Sequence, residues 1–589
     1  MDNEVRKINI KSLLLTLVLT ITIIGLGTYA WLTYRSKNTA MVLTIGDINS
    51  VQITLKPYQL DMTLSPMLTY TSLDTTGDYV TVTVTNSTSS DQKFSLFYDI
   101  NYIDSGLQNS SFKYTILKTN DNTTTEGDFT NSNTTDNFYI LDKLTIPAST
   151  TYTYKVYVWL DGNTANTPGL SFKADLRAEI LEPCKELTIS PILDSGMIPV
   201  TIANDGTVTT VSSSDTNWYS YCDKQWANAV LVKETGVKTR AQNKVAGTVI
   251  NQDDILAYYV WIPRYSYKIW TLDASQAHTG EEQTIDIKFV DTSTKETGSA
   301  VGQWYTHPAF TFGTEELAGI WVGKFEMSHN TLSSSTTSNN LSCTTETCTN
   351  ASGLRVLPNV SSIRYNNVSN MWYAARSMEQ SNNVFGITNS DSHMMKNSEW
   401  GAVAYLSHSN YGINDEIRIN NYRKDTTTYA TLTGCGASTA NASVAATCNI
   451  TYGSASSYPQ STTGNISGIF DMSGGALEYV MGNYNNTIGS SGFSTLPNAK
   501  YYDNYPASIF AGDYNTNMTF CTLETCGGHA LNETRAWYSD YAYFVYSGYP
   551  WFVRGGSYGD GRGAGAFSSY DYIGIASSAY SWRGVLVAR

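Results

Sequence analysis

The sequence predicts three parts in order: a single N-terminal transmembrane helix, an all-β sandwich, and an α+β domain filling most of the 589 residues. Three observations predict this. Residues 12–34, "SLLLTLVLTITIIGLGTYAWLTY", carry no charge between Lys11 and Arg35. Residues 40–182 alternate apolar and polar positions with period two. Beyond Asp254, short strand-like runs mix with two segments of helical spacing.

At 1.5 Å per residue, the uncharged segment spans a hydrocarbon core of about 30 Å. It is longer than the usual secretory apolar region of about 7–15 residues, which favours a retained helix, with cleavage near Thr28-Tyr29-Ala30 as the alternative. Arg6, Lys7 and Lys11 against Arg35 and Lys37 bias residues 1–11 toward the cytoplasm. The expected localisation is therefore the cell membrane, single-pass, with the bulk of the chain extracellular.

The sandwich is expected over 40–182. "MVLTIGDI", "YVTVTVTN", "QKFSLFYDINYI" and "YTYKVYVWL" are β-branched or aromatic at alternate positions and bounded by Asn, Asp, Gly, Ser or Pro. Residues 183–250 are expected as a connector whose aromatics (Trp218, Tyr219, Tyr221, Trp226) cap the next domain. That domain is expected over 251–589, with helices at Asn370–Glu379 and Asn397–Leu406.

Composition narrows the function classes. Charged residues make up 15% of the chain and the net charge is −14, without a basic cluster, which excludes a nucleic-acid-binding face. The eight cysteines include three local pairs, Cys343/Cys348, Cys435/Cys448 and Cys521/Cys526, with Cys184 and Cys222 apart. In an exported chain such pairs are disulfide staples, whereas zinc favours closer spacing with histidine. The six histidines (His278, His307, His329, His393, His408, His529) form no paired metal or catalytic motif. Asp513, Asn515, Asn517 and Glu524 are spaced like calcium-loop oxygens, but Met518 stands where such a loop needs glycine.

Five segments carry a likeness: "GIWVGKFEMS", "KNSEWGAVAYL", "GIFDMSGGALEYV", "RGGSY" and "SWRGVLV". In this order they resemble the formylglycine-generating, sulfatase-modifying-factor family, a variant of the C-type lectin fold, over about residues 255–589. The oxidising members of that family use a late cysteine pair with copper. No cysteine follows Cys526 here, so no catalytic residue is assigned, and an oxidoreductase of that type stays as an alternative. No cofactor is expected, although the resemblance leaves room for a structural calcium ion without assigning its ligands. Asp471 and Glu478 read as fold-bracing carboxylates, with Arg554 or Arg583 as partner for Glu478. The helix-then-sandwich layout of the N-terminal part resembles exported fibre proteins of the camelysin and TasA type, and a structural fibre or phage-tail role is the second alternative.

The closing stretch carries the functional expectation. Residues 537–581 are rich in Tyr, Ser, Gly and Asp, with Tyr538, Tyr541, Tyr543, Tyr546 and Tyr549 ahead of "WFVRGG" and Tyr558, Tyr570, Tyr572 and Tyr580 behind it. Tyrosine gives broad contact at little entropic cost, and Ser and Gly adapt hydrogen bonds. The layout is similar to the variable proteins of diversity-generating retroelements, whose lectin-like domain ends in a diversified segment between fixed strands. By that resemblance the ligand contacts are Trp537, Ser557, Tyr558, Asp560, Arg562, Ser568, Ser569, Tyr570, Asp571, Tyr572, Ser577, Ser578 and Tyr580. The expected function is a surface receptor or adhesin for a protein or glycan ligand, attached to the membrane.

Overall fold

A computed structural model describes residues 43–44, 51–56, 67–87, 92–134, 137–161, 170–181, 189–269, 282–298, 302–332, 341–423, 431–436, 444–445 and 447–589. The chain divides into two compact units, Met1–Cys184 and Lys185–Arg589.

In the first unit, nine strands form two antiparallel sheets. They are β1 (Leu43–Thr44), β2 (Val51–Lys56), β3 (Val80–Asn86), β4 (Gln92–Ile103), β5 (Phe112–Lys118), β6 (Thr123–Asp128), β7 (Phe138–Ile146), β8 (Thr150–Leu160) and β9 (Phe172–Leu181). One sheet runs β1-β2-β3-β8-β5-β6 and the other β7-β4-β9. Alternation explains the burial: in β3, Val82 and Val84 are buried while Thr81, Thr83 and Thr85, which alternate with them, are half-exposed. Val82, Val84, Ile116 and Val156 of the first sheet share one apolar cluster with Phe94, Leu96, Ile100 and Ile140 of the second. Two antiparallel sheets with one shared core are compatible with the expected sandwich.

The second unit is built on a seven-stranded antiparallel sheet and a smaller mixed sheet. The larger contains β10 (Met197–Ile202), β11 (Val208–Thr210), β12 (Asn228–Val232), β13 (Ile255–Pro263), β14 (Gly319–Gly323), β15 (Ser390–Met394) and, at the chain end, Gly584–Ala588. β13, "ILAYYVWIP", is buried at every position, as an unbroken apolar run requires of a strand covered on both faces. β10 to β12 belong to this sheet, so residues expected as a connector are structural members of the second unit.

The smaller sheet contains β16 (Leu477–Tyr484), β17 (Asp503–Tyr505), β18 (Trp551–Gly555), β19 (Gly565–Tyr572) and β20 (Tyr580–Trp582), and Gly584–Ala588 is β21. Its order is β17-β16-β18-β19, with β20 also paired to β16. β21 lies between β14 and β15 in the large sheet, so the chain steps from one sheet to the other at Arg583.

Two helices fall on the segments of helical spacing: α1 (Val368–Ser377), capped by Asn367, and α2 (Asn397–Ser407), with Glu399 in its first turn. Among the described residues every other α-helix has six residues or fewer. The α+β expectation for this unit is therefore corrected to a mostly β architecture. The Ser-, Thr-, Asn- and Gly-rich segments between strands have low helix propensity and form loops, short strands and single turns.

The expected transmembrane helix over 12–34 lies outside the described residues. Among the described residues no helix is long and apolar enough to cross a membrane.

Candidate ligand-binding surface

β18 sets the frame. Trp551, Phe552, Val553 and Arg554 are completely buried, and β19 pairs with them in the register Trp551↔Tyr572, Phe552↔Asp571, Val553↔Tyr570 and Arg554↔Ser569. Strand alternation then sends Tyr570 and Tyr572 to one face and Ser569 and Asp571 to the other. Tyr570 is exposed and Tyr572 half-buried, whereas Ser569 and Asp571 are buried.

The far side of β19 is lined by the preceding tyrosine-rich segment. Ser569 N donates to Tyr541 O at 2.8 Å, Tyr543 N donates to Ser569 O at 3.0 Å, and Ser569 Oγ donates to Tyr543 O at 3.0 Å. These bonds put the Tyr543 ring 4.7 Å, and the Tyr541 ring 6.2 Å, from that of Tyr570. Tyr514 lies 5.1 Å from Tyr543 and 6.4 Å from Tyr546, and Tyr546 lies 5.5 Å from Tyr549. Tyr549 approaches Tyr572 at 6.2 Å, Tyr572 approaches Tyr580 at 4.8 Å, and Tyr580 approaches Tyr479 at 5.0 Å. The result is a continuous belt of nine tyrosines beside the C-terminal sheet, four of them on its strands, running from the exposed Tyr541 to the buried Tyr479. Tyr541, Tyr549 and Tyr570 are 38%, 40% and 37% exposed, too open for core residues of this size.

The expected contact residues separate by position. Tyr570, Tyr572 and Tyr580 join the belt, although Tyr580 is itself largely buried. Ser557, Tyr558, Asp560 and Arg562 sit on the loop between β18 and β19. There Asp560 accepts from Ser557 N at 2.7 Å, and the Arg423 guanidinium lies 5.8 Å from the Tyr558 ring. Ser577 and Ser578 are half-exposed before β20, and their carbonyls accept from Tyr365 N and Arg364. Trp537, Ser568, Ser569 and Asp571 lie beneath the surface. Trp537 is completely buried, packed 5.0 Å from Phe567 and 5.2 Å from His408, so its ring supports the surface from below.

Tyr514 was missed by sequence reading because it lies outside the closing stretch. It sits in the calcium-like segment, where Asp513 instead caps a helical turn by accepting from Thr516 N at 2.8 Å. Among the described residues, no group of three or more His, Cys, Asp or Glu side chains is placed to hold a metal ion.

Burial pushes the Asp571 carboxyl up to about 6, and burial, followed by the Asp571 charge, also raises the Tyr570 hydroxyl. Beneath the sheet, Arg583 spans Glu478 Oε1 and Oε2 at 2.6 and 3.2 Å and donates to Gly323 O and Phe470 O. Arg554 takes no part in that pair. It donates to Asn397 Oδ1, His529 O and Ala530 O, the last two in the loop ahead of Trp537.

The cysteine staples close loops around this unit: Cys343–Cys348, Cys435–Cys448 and Cys521–Cys526 are disulfides with Cα atoms 5.0, 5.8 and 5.4 Å apart. Cys222 is disulfide-bonded too, and Cys184 lies outside the described residues.

In comparisons with known proteins, no family model matches the chain and no curated protein matches it.

Proposed function

We propose that the chain is an extracellular, cell-surface ligand-binding protein, a receptor or adhesin, whose second unit holds a protein or glycan ligand against the tyrosine belt. The observation that carries this reading is the belt itself: nine tyrosines in ring-to-ring sequence, three of them well exposed, on a rigid buried framework. Rows of partly exposed tyrosines are costly to leave facing water and bind broadly when covered. The disulfides support an oxidising compartment. A chain of the kind that the variable lectin-like proteins represent would differ from sister copies at positions such as Tyr570, Tyr572 and the 557–562 loop.

The test is a screen of the full chain against glycan and protein arrays, repeated with Tyr570→Ala/Tyr572→Ala. The double variant is expected to keep its circular dichroism spectrum and lose at least about tenfold in affinity for whatever the parent binds. Equal binding by both proteins overturns the reading.

A further inference from the structure

Behind the strands that carry the tyrosine belt, one buried histidine braces the start of α2. His393, on β15, is completely buried, with the Phe312 ring stacked on its imidazole at 5.0 Å and the Tyr501 ring at 5.8 Å. Each ring nitrogen faces a carboxylate: Nδ1 lies 3.1 Å from Asp391 Oδ1, and Nε2 lies 3.0 Å from Glu399 Oε1. The second oxygen of Glu399 accepts from Lys396 N at 2.8 Å, and Asp391 also accepts from Arg376, Lys500 and the Tyr501 hydroxyl. A neutral imidazole has one N–H and cannot donate to both sides. Satisfying both contacts therefore takes one proton more than a neutral histidine between two carboxylates supplies.

The charges around the ring favour that proton. Asp391 on β15 and Glu399 in the first turn of α2 act on the imidazole directly. From α1 and the residues just past it come Arg376, paired with Asp391, Glu379 and Glu346, and Glu379 itself. Lys500 pairs with Asp391, and Lys500 and Lys396 both lie over the Phe312 ring. Arg589, whose own partner is Glu315, also feels Asp391 and Glu379. β21, which pairs Val585 with His393, carries no titratable side chain. Burial alone lowers the imidazole, but Glu399 and then Asp391 outweigh it and hold it above its ordinary value. The folded ring thus titrates above its unfolded value of about 6.5. The stability it contributes is complete below that unfolded value and is lost as pH rises through the folded one.

We infer that His393 is a pH-sensitive clamp: protonated, it fixes the start of α2 against β18 and β19, and release of its proton in alkaline medium loosens the frame that carries the tyrosine belt. A run of direct bonds leads from the ring to that frame. Glu399, held by His393 at one oxygen, holds the Lys396 amide with the other. The next residue, Asn397, donates to the Tyr505 hydroxyl at 2.6 Å and accepts from Arg554 at 2.9 Å, which ties α2 to β17 and β18. Ser398 N donates to Asp503 Oδ2 at 2.7 Å. Trp400, directly after Glu399, donates from Nε1 to Ala566 O at 2.7 Å, on the strand that bears Tyr570 and Tyr572. Once the proton leaves, a nitrogen lone pair faces a carboxylate oxygen in a buried site, and the two repel. The simplest relief moves Glu399, and with it the helical turn from which these bonds start.

The experiment is fluorine NMR of the full chain labelled with fluorotryptophan, titrated from about pH 5.5 to about pH 9, with the Trp400 signal assigned by Trp400→Phe. The Trp400 signal is expected to shift along a single sigmoid whose midpoint lies above about pH 6.5. His393→Gln is expected to flatten that curve. Glu399→Gln is expected to flatten it too, because its amide keeps an oxygen for Lys396 N and offers an N–H to the neutral ring. Should one variant fail to fold, the other decides. In thermal unfolding, the midpoint of the parent minus that of Glu399→Gln is expected to fall by about 2 °C or more between about pH 6 and about pH 9. A Trp400 signal that stays flat in the parent, or that titrates alike in the parent and a folded variant, overturns the inference. So does a midpoint difference that stays constant with pH, which would leave His393 a fixed brace.

Discussion

Glu478 meets Arg583 and not Arg554, and the reason is the neighbouring backbone. β20 runs parallel to β16 with Glu478 opposite Ser581, so the next side chains along the chain, including Arg583, come within reach of the Glu478 carboxylate. Arg554 also lies directly across a ladder from Glu478, but its guanidinium serves the carbonyls of His529 and Ala530. Residue pairing of this kind is only half legible in sequence: spacing showed that a buried carboxylate needed an arginine, and the strand register chose which. Asp571 makes a parallel case in titration. Its carboxyl is pushed up to about 6 by burial, above its ordinary unfolded value of about 3.9. A raised carboxyl contributes stability fully below the unfolded value and loses it as pH rises through about 6. The expected outcome is that Asp571→Asn removes a fall in thermal midpoint seen in the parent across that interval, measured as the difference between parent and variant at each pH. A difference that stays constant from about pH 4 to about pH 7 contradicts this assignment.

At the scale of elements, the segments best read from sequence were those whose pattern is physical. Val80–Asn86 alternates, and the structure buries alternate residues; Asn397–Ser407 repeats at helical spacing and is a helix. What sequence could not show was partnership. The belt forms because residues 541–543 lie beside β19, a pairing with no local signature, and Tyr514 joins it from a helical turn more than fifty residues before Tyr570. Likewise β10 to β12 look like a linker until their sheet neighbours are known. Loop staples belong to this scale too. Closing a loop restricts the unfolded chain more as the loop lengthens, so Cys435–Cys448, with a separation of 13, restricts it more than Cys343–Cys348, with a separation of 5. Removing both cysteines of the longer loop is expected to cost about 3 kcal/mol in denaturant unfolding and the shorter about 2 kcal/mol. Equal or inverted losses would show that native strain, not loop entropy, sets these contributions.

For the second unit as a whole, what matters is where the chain finishes its two sheets. Tyr580–Trp582 pairs with β16, and Gly584–Ala588 then fills the place between β14 and β15 inside the large sheet. Trp582, Val585, Leu586 and Val587 are completely buried. At about 1.5–3 kcal/mol for each large apolar side chain, these four contribute on the order of the whole stability of a typical domain. A strand missing from the middle of a sheet also strands the backbone donors and acceptors of both neighbours. Deleting residues 580–589 is therefore expected to abolish cooperative unfolding of the second unit. By contrast, changing the exposed Tyr541, Tyr549, Tyr570 and Ile575 together to serine is expected to shift its unfolding free energy by no more than about 2 kcal/mol. Urea unfolding followed by tryptophan fluorescence separates the two. If the four-serine variant loses its cooperative transition as the deletion does, the tyrosines belong to the core, and the division between a buried frame and a replaceable contact surface fails.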